Sequence, residues 1–336
     1  MVDKICIINA GGWGTALAVL MASKGYEVRL WARRPELAEE IVSTRENSSY
    51  LPGVRIPDNV FPTSDLEYAL QGSSVVIIAA ISRFIRELAP MVGPLLKPGQ
   101  LVVSGSKGLD EESLLRATEQ LEKWSGQAQQ GRIAALSGPN HAEEVSRGIP
   151  TATVVACRDE QVARRLQQIL STKAFRVYTN LDLVGVELCG TVKNVIAIAA
   201  GMSDGLGYGD NAKAALVTRS LAEISRLVSV MGGQASTVAG LAGIGDIIAT
   251  CTSRHSRNRA AGEAIARGSN LDQVRSRSRM EVEGFPATRS VYKLARLKGV
   301  EMPITQQVHA VLFEGASLQD GLTQLMTRDH TSEPWM

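Results

Sequence analysis

Lys193 has the setting in this chain that best suits chemistry. It stands in LVGVELCGTVKNVIAIAAGMSDG, Leu183 to Gly205, an apolar helical stretch, with Asn194 beside it. Lysine is seldom fully buried without a partner. Desolvation disfavours a charged amine, which suits a group that gives and takes a proton near neutral pH. Asp246 stands alone among apolar residues and glycines in GLAGIGDIIATCTS. A buried carboxylate also needs a partner, and Lys193 is the natural one. These two residues are the catalytic candidates. Cys189 shares the face of Lys193 and reads as packing.

Three further stretches suit a ligand. SRHSRNR, Ser253 to Arg259, lies at the start of a helix, with Ser256 at the N-cap and Arg257 and Asn258 in the first turn. A hydroxyl, an arginine and helix N–H groups together make an anion site, most plausibly for phosphate. VVSGSKGLD puts Lys107 just past the carboxyl end of a strand, where ligands bind in open α/β sheets. ALSGPNHAEEV does the same for Ser137, Gly138, Asn140 and His141. Each also has a bland reading: a snorkelling lysine, a capped basic surface helix, a surface lysine, a Pro-Gly turn.

At the N-terminus, KICIINAGGWGTALAVLMASKG joins an apolar run to a helical one. Asn9, Gly11 and Gly14 hold the three positions of the dinucleotide fingerprint G-x-G-x-x-G. Its glycines serve the tight turn, the backbone approach to pyrophosphate, and close packing of helix on strand. Asn is the mildest replacement at the first position, because it tolerates positive φ. Gly12 adds freedom, and the N–H groups of Gly12 and Trp13 would face the pyrophosphate. The second strand ends LWARRPE, with no acid at its tip for a ribose 2′-hydroxyl. Arg33 and Arg34 can instead pair with a 2′-phosphate, so NADPH is favoured over NADH, with dual use open. Two solvated surface arginines are the alternative.

These residues need a scaffold. Apolar runs KICII, EVRLW, SVVIIAA, QLVVSG, RIAALSG and TATVVA alternate with helical patterns, including EESLLRATEQLEKW. That alternation implies an α/β fold, a doubly wound parallel sheet whose strands are buried on both faces. Glu46 to Thr63 breaks the rhythm with three prolines and reads as an irregular insertion. After FRVYTN, Phe175 to Asn180, only helices are expected: Leu183–Gly201, Asn211–Met231, Arg257–Arg267, Ala287–Lys298 and Ile304–Phe313. The expected domains are 1–181, dinucleotide-binding, and 182–336, an all-α substrate-binding and catalytic domain.

Composition excludes other classes. The 36 basic and 34 acidic residues nearly balance, which argues against nucleic acid or a membrane surface as partner. No apolar run reaches the 18 or so residues that span a bilayer, so no membrane insertion is expected. No leader is evident, and a soluble, cytoplasmic protein is expected. Cys6, Cys157, Cys189 and Cys251 form no C-x-x-C pair, so four buried thiols are expected and no metal site.

As a set, the residues resemble the bacterial NAD(P)-dependent glycerol-3-phosphate dehydrogenase family along nearly the whole chain. The matches are GWGTALA, SKGL, LSGPNHAEEV, FRVYTN, GTVKNVIAIAAGMSDG, AGIGDIIATCTS, SRNR, VEG and EMPIT. The resemblance implies reversible reduction of dihydroxyacetone phosphate to sn-glycerol 3-phosphate for phospholipid synthesis. It implies a Rossmann-like domain, a helical domain, a site in the cleft between them and possibly a homodimer. It makes Lys193 the proton acceptor in the oxidative direction. Lys107, Gly138, Asn140, Lys193, Asn194, Asp246, Ser256, Arg257 and Asn258 are then expected to contact the substrate. Gly12, Trp13, Arg33, Lys107, Ala142, Arg257, Glu281 and Glu283 would line the cofactor.

The chain departs from the family at Asn9, normally Gly, at Gly12, usually Ser, and at Ile81-Ser82, commonly Pro-Ser. Glu281 replaces a small apolar residue and would disfavour a 2′-phosphate nearby. Two rivals stay open on sequence: a β-hydroxyacid dehydrogenase acting on carboxylates, and a non-catalytic sensor of the nicotinamide cofactor.

Overall fold

A computed structural model describes residues 4–126, 129, 131–277 and 281–327. The chain divides into two compact units, 1–107 with 115–183, and 108–114 with 184–336. The sequence boundary at 181 differs from this division mainly by residues 108–114. Their Leu109 is buried in the core of the second unit, which explains the exchange.

The first unit begins β1 (Lys4–Ile8), α1 (Gly12–Ala22), β2 (Glu27–Trp31), α2 (Pro35–Thr44), β3 (Glu46–Asn47), β4 (Leu51–Arg55) and β5 (Val60–Thr63). It continues α3 (Leu66–Leu70), β6 (Val75–Ile78), α4 (Ser82–Val92), β7 (Leu101–Ser104), α5 (Ala117–Ser125), β8 (Ile133–Ser137), α6 (Ala142–Val145), β9 (Thr151–Ala156), α7 (Glu160–Leu170) and β10 (Phe175–Asn180). Eight strands form one sheet in the order β10-β9-β8-β7-β6-β1-β2-β5. β1 pairs with β2 on one side and β6 on the other, both parallel. The order of strands reverses there, and such a switch point opens a crevice at the carboxyl ends of the strands.

The apolar runs have the expected cause. Ile5 and Ile7 enter the core on one face of the sheet, Cys6 and Ile8 the core on the other. Two corrections follow. The sheet is not wholly parallel, because β8 and β9 pair antiparallel. The segment Glu46 to Thr63 is not irregular: β3 and β4 form a small antiparallel pair, and β5 joins the main sheet beside β2. Pro62 is tolerated in β5 because this is an edge strand. EESLLRATEQLEKW is helical only from Ala117 onward.

From Leu183 on, the described elements are all helical, with α8 (Leu183–Gly205), α9 (Asp210–Val230), α10 (Ala235–Val238), α11 (Asp246–Thr252), α12 (Arg257–Ala266), α13 (Leu271–Arg277), α14 (Gly284–Lys298), α15 (Pro303–Phe313) and α16 (Leu318–Met326). The sequence patterns located α8, α9, α12, α14 and α15 but not α10, α11, α13 or α16. α8 is long and apolar enough to cross a bilayer, at mean hydropathy 1.6, yet 94% of that window is buried inside the protein. Ala235–Thr252 passes the same test at 1.3, with 44% buried.

All four cysteines are buried and none is in a disulfide. Burial pushes the thiols of Cys6 and Cys157 up, and that of Cys251 up to about 12. Such thiols are poor nucleophiles, so they belong to packing.

Candidate active site

In the first unit, the fingerprint loop follows β1 at the switch point. Asn9 has φ of 85°, the conformation for which glycine is usually required. Its side chain earns the position: Asn9 Nδ2 donates to Ala79 O at 3.0 Å and ties the turn to the end of β6. Gly14 has a packing reason, since a Cβ there would lie 2.0 Å from Asn9 O. A Cβ on Gly12 would lie 2.8 Å from Tyr50 O and 4.0 Å from the Cβ of Ala142. Gly11 is the N-cap of α1, with no side-chain cap and no acid in the first turn. The leading N–H groups of α1 therefore have no side-chain acceptor at the cap. Trp13 Nε1 is buried with no hydrogen-bond partner, and a Cβ on Gly105 would lie 2.8 Å from it.

These features fit a dinucleotide. A pyrophosphate needs a backbone that approaches closely, unoccupied N–H groups and a helix N-terminus. The loop supplies all three, and side chains at Gly12 or Gly14 would fill the space. Sequence reasoning missed Asn47 and Tyr50. Buried Asn47 donates from Nδ2 to Ala10 O at 2.9 Å and to Thr15 Oγ1 at 2.8 Å, so it pins the loop. Both residues fall in the segment read as an insertion, which hid them.

Lys107 lies beyond β7, and Gly138, Asn140 and Ala142 beyond β8, at the same edge of the sheet as the fingerprint loop. Lys107 Nζ donates to Gly138 O at 3.0 Å and Asn140 Oδ1 at 2.9 Å, so these three candidates come together. Gly138 needs to be glycine: φ is 143°, and a Cβ would meet Thr153 Oγ1 at 2.9 Å. Arg33 pairs instead with Glu87, its Nη1 3.1 Å from Oε2. Arg34 is the backbone N-cap of α2.

In the second unit, Lys193 and Asp246 meet as expected. Lys193 Nζ lies 2.9 Å from Asp246 Oδ1 and donates to Thr250 Oγ1, also at 2.9 Å. Thr250 in turn donates to Asp246 O at 2.6 Å. All three residues are buried. Asp246 opens α11 directly after a single turn of π-helix, Leu241–Gly245, an irregularity frequent at functional sites. Thr250 was missed, although its i+4 spacing from Asp246 puts it on the same helix face.

Asn194 and Asn258 are joined in a chain of bonds. Asn258 Nδ2 donates to Asn194 Oδ1, and Gly284 N donates to Asn258 Oδ1, each at 2.9 Å. Ser256 caps α12 by accepting from Arg259 N at 3.2 Å. Arg257 is exposed and donates from Nη1 to Glu281 O at 2.9 Å, bringing those two candidates together. Arg259 is committed elsewhere, to Asp204 at 2.8 Å and Glu263 at 3.3 Å. Glu283 is the backbone N-cap of α14 and makes no side-chain capping bond.

Glycines set how closely α12 approaches α8. A Cβ on Gly201 would lie 1.9 Å from Arg259 O, and one on Gly262 would lie 2.0 Å from Ile198 O. This backbone-to-backbone approach puts Asn258 within reach of Asn194. Gly262→Ala is expected to destabilise the protein by about 1–3 kcal/mol, because the methyl must separate two backbones. It should also lower turnover. Denaturant unfolding beside an activity assay checks both, and an unchanged midpoint contradicts the role given to this contact.

The comparisons agree along the chain. Residues 4–163 match the N-terminus, and residues 182–323 the C-terminus, of NAD-dependent glycerol-3-phosphate dehydrogenase. A glycerol-3-phosphate dehydrogenase (NAD(P)+) of Chlorobium limicola is 49% identical over 329 residues, 98% of this chain and 99% of that protein. The one of Moorella thermoacetica is 47% identical over 335 residues, 99% and 98% of the two chains. The crystal structure of glycerol-3-phosphate dehydrogenase from Coxiella burnetii superposes with a TM-score of 0.92 at 40% identity, covering 97% of this chain and 99% of that one. The chain therefore belongs to the NAD-dependent glycerol-3-phosphate dehydrogenase family.

Proposed function

We propose that the chain catalyses the reversible reduction of dihydroxyacetone phosphate to sn-glycerol 3-phosphate, using NADPH or NADH, and so supplies phospholipid synthesis. Residues 1–181 hold the cofactor, and residues 182–336 hold the substrate and carry the proton. The observation that supports this best is the buried Lys193–Asp246–Thr250 cluster, with an arginine-bearing helix start in the same unit.

When bound, the nicotinamide supplies hydride to C2 of the substrate, or takes it back. Lys193 handles the proton. Its ammonium has three N–H groups, and Asp246 and Thr250 accept two of them. The third can donate to the C2 oxygen as negative charge develops there, which is acid and electrostatic catalysis together. Asp246 aims the buried amine, and Thr250 fixes its rotamer. Arg257, the Ser256 hydroxyl and the first N–H groups of α12 hold the phosphate. Asn194 and Asn258 brace that helix start against α8. Lys107, Gly138 and Asn140 form a second polar group for substrate, with Lys107 also facing the cofactor. Gly12, Trp13, Ala142, Arg33, Glu281 and Glu283 line the cofactor, and Asn9, Gly11 and Gly14 shape its loop.

The enzyme acts in the cytoplasm as a homodimer and does not enter a membrane. Four buried cysteines outside any disulfide suit a reducing compartment. Purified protein mixed with dihydroxyacetone phosphate should oxidise NADPH, NADH or both, followed by loss of nicotinamide absorbance. It should ignore 3-oxo acids. Binding of both cofactors with no oxidation of either would sink this reading.

A further inference from the structure

The tip of β2 carries arginines where a site for the plain ribose would carry an acid. The acid is nevertheless present, supplied by another element. Glu87, in the second turn of α4, accepts from Arg33 Nη1 at 3.1 Å. One turn earlier on the same helix stands Phe84. The Arg33 guanidinium lies 5.7 Å from the Phe84 ring centroid, and that of Arg83 lies 4.6 Å from it. The result is an aromatic ring flanked by two guanidiniums, with one carboxylate on the guanidinium that the sequence assigns to the 2′-phosphate. Both Arg33 and Glu87 are more than half exposed, so the pair is open to a ligand rather than locked in the core.

We propose that Glu87 is a specificity-determining residue that sets the balance between NADPH and NADH. This rests on the reading above that Arg33 meets the 2′-phosphate. The phosphate must take Arg33 from Glu87, and its dianion must also approach a carboxylate. Each effect weakens NADPH, whereas the uncharged 2′-hydroxyl of NADH meets neither and can donate to Glu87. An arginine alone at this position would make the site selective for NADPH. The arginine with its carboxylate makes it serve both.

The test is binding, so that it does not depend on turnover. Dissociation constants for NADPH and NADH, and for the fragments 2′,5′-ADP and 5′-ADP, are measured by titration of the full-length protein at low salt. The proteins are wild type, Glu87→Gln, Arg33→Gln and the double variant. Exposed pairs are weak, so Glu87→Gln should tighten NADPH and 2′,5′-ADP by about two- to fivefold. It should change NADH and 5′-ADP less than twofold, and the gain should shrink as salt screens it. In the Arg33→Gln background most of the gain should vanish. If Arg33→Gln weakens NADPH but Glu87→Gln leaves the NADPH-to-NADH ratio unchanged, the proposal is overturned while Arg33 keeps its role. If Arg33→Gln does not affect NADPH, the reading of Arg33 falls, and the proposal with it. A full gain retained in the double variant overturns the route through Arg33.

Discussion

Lys193→Ala is expected to lower kcat by about 10³-fold, the scale on which a positioned acid–base group contributes, while NADPH still binds. Lys193 Nζ donates to the Asp246 carboxylate and the Thr250 hydroxyl, both on α11, so its loss is expected to remove the proton and not the cofactor loop. The variant carries a second cost. It leaves the Asp246 carboxylate buried without its cation, a loss of about 3–5 kcal/mol for a buried pair broken on one side. Misfolding could then imitate catalytic failure. Lys193→Ala with Asp246→Asn removes the stranded charge, so it should recover stability but not turnover. Lys193→Arg keeps a cation but not a proton that leaves readily, so it should also be slow. Unfolding midpoints, cofactor titration and single-turnover rates on the three variants separate these effects. Near-normal turnover by folded Lys193→Ala would remove Lys193 from the chemistry.

The pair at the heart of that experiment was legible because of where the charges fall in the sequence. Lys193 and Asp246 each interrupt a long apolar stretch, and a charge in such a place must find an opposite one. Thr250 was less visible, since threonine in a helix has several ordinary uses. The partnership of Arg33 with Glu87 was not legible at all. It depends on α4 and the tip of β2 meeting across the sheet, and neither residue is unusual for a surface. The fold divides in the same way. Strands such as β1 and β6 are buried on both faces and announce themselves as unbroken apolar runs. β5 contains Pro62 and exposes Phe61, so it carries little of a strand signal and joins the sheet only because an edge was available. The antiparallel direction of β9 was hidden because an apolar run has no polarity; direction is set by the connection. Asn47 shows what such a miss costs: the buried amide that pins the fingerprint loop lies in a segment whose prolines made it look irregular.

Arg257→Ala should raise KM for dihydroxyacetone phosphate by about 10- to 100-fold, the worth of one or two charge-assisted hydrogen bonds, with a smaller effect on kcat. The choice among neighbouring arginines follows from their partners. Arg259 is held by Asp204 and Glu263, with Nε toward Ser253 O, and ties α12 to the end of α8. Arg257 is exposed, and its Nη1 donates to the Glu281 carbonyl, a neutral acceptor. The helix start adds N–H groups but no acid in its first turn, so no carboxylate of that turn opposes an anion. The two substitutions should therefore fail differently: Arg257→Ala in substrate affinity, Arg259→Ala in stability. Dihydroxyacetone without its phosphate supplies the decisive control. It is a poor substrate for any enzyme that relies on phosphate binding, and Arg257→Ala should cost it almost nothing in kcat/KM. An equal loss on both substrates would mean that Arg257 positions the helix rather than the phosphate. An unchanged KM for dihydroxyacetone phosphate would remove Arg257 from the phosphate site.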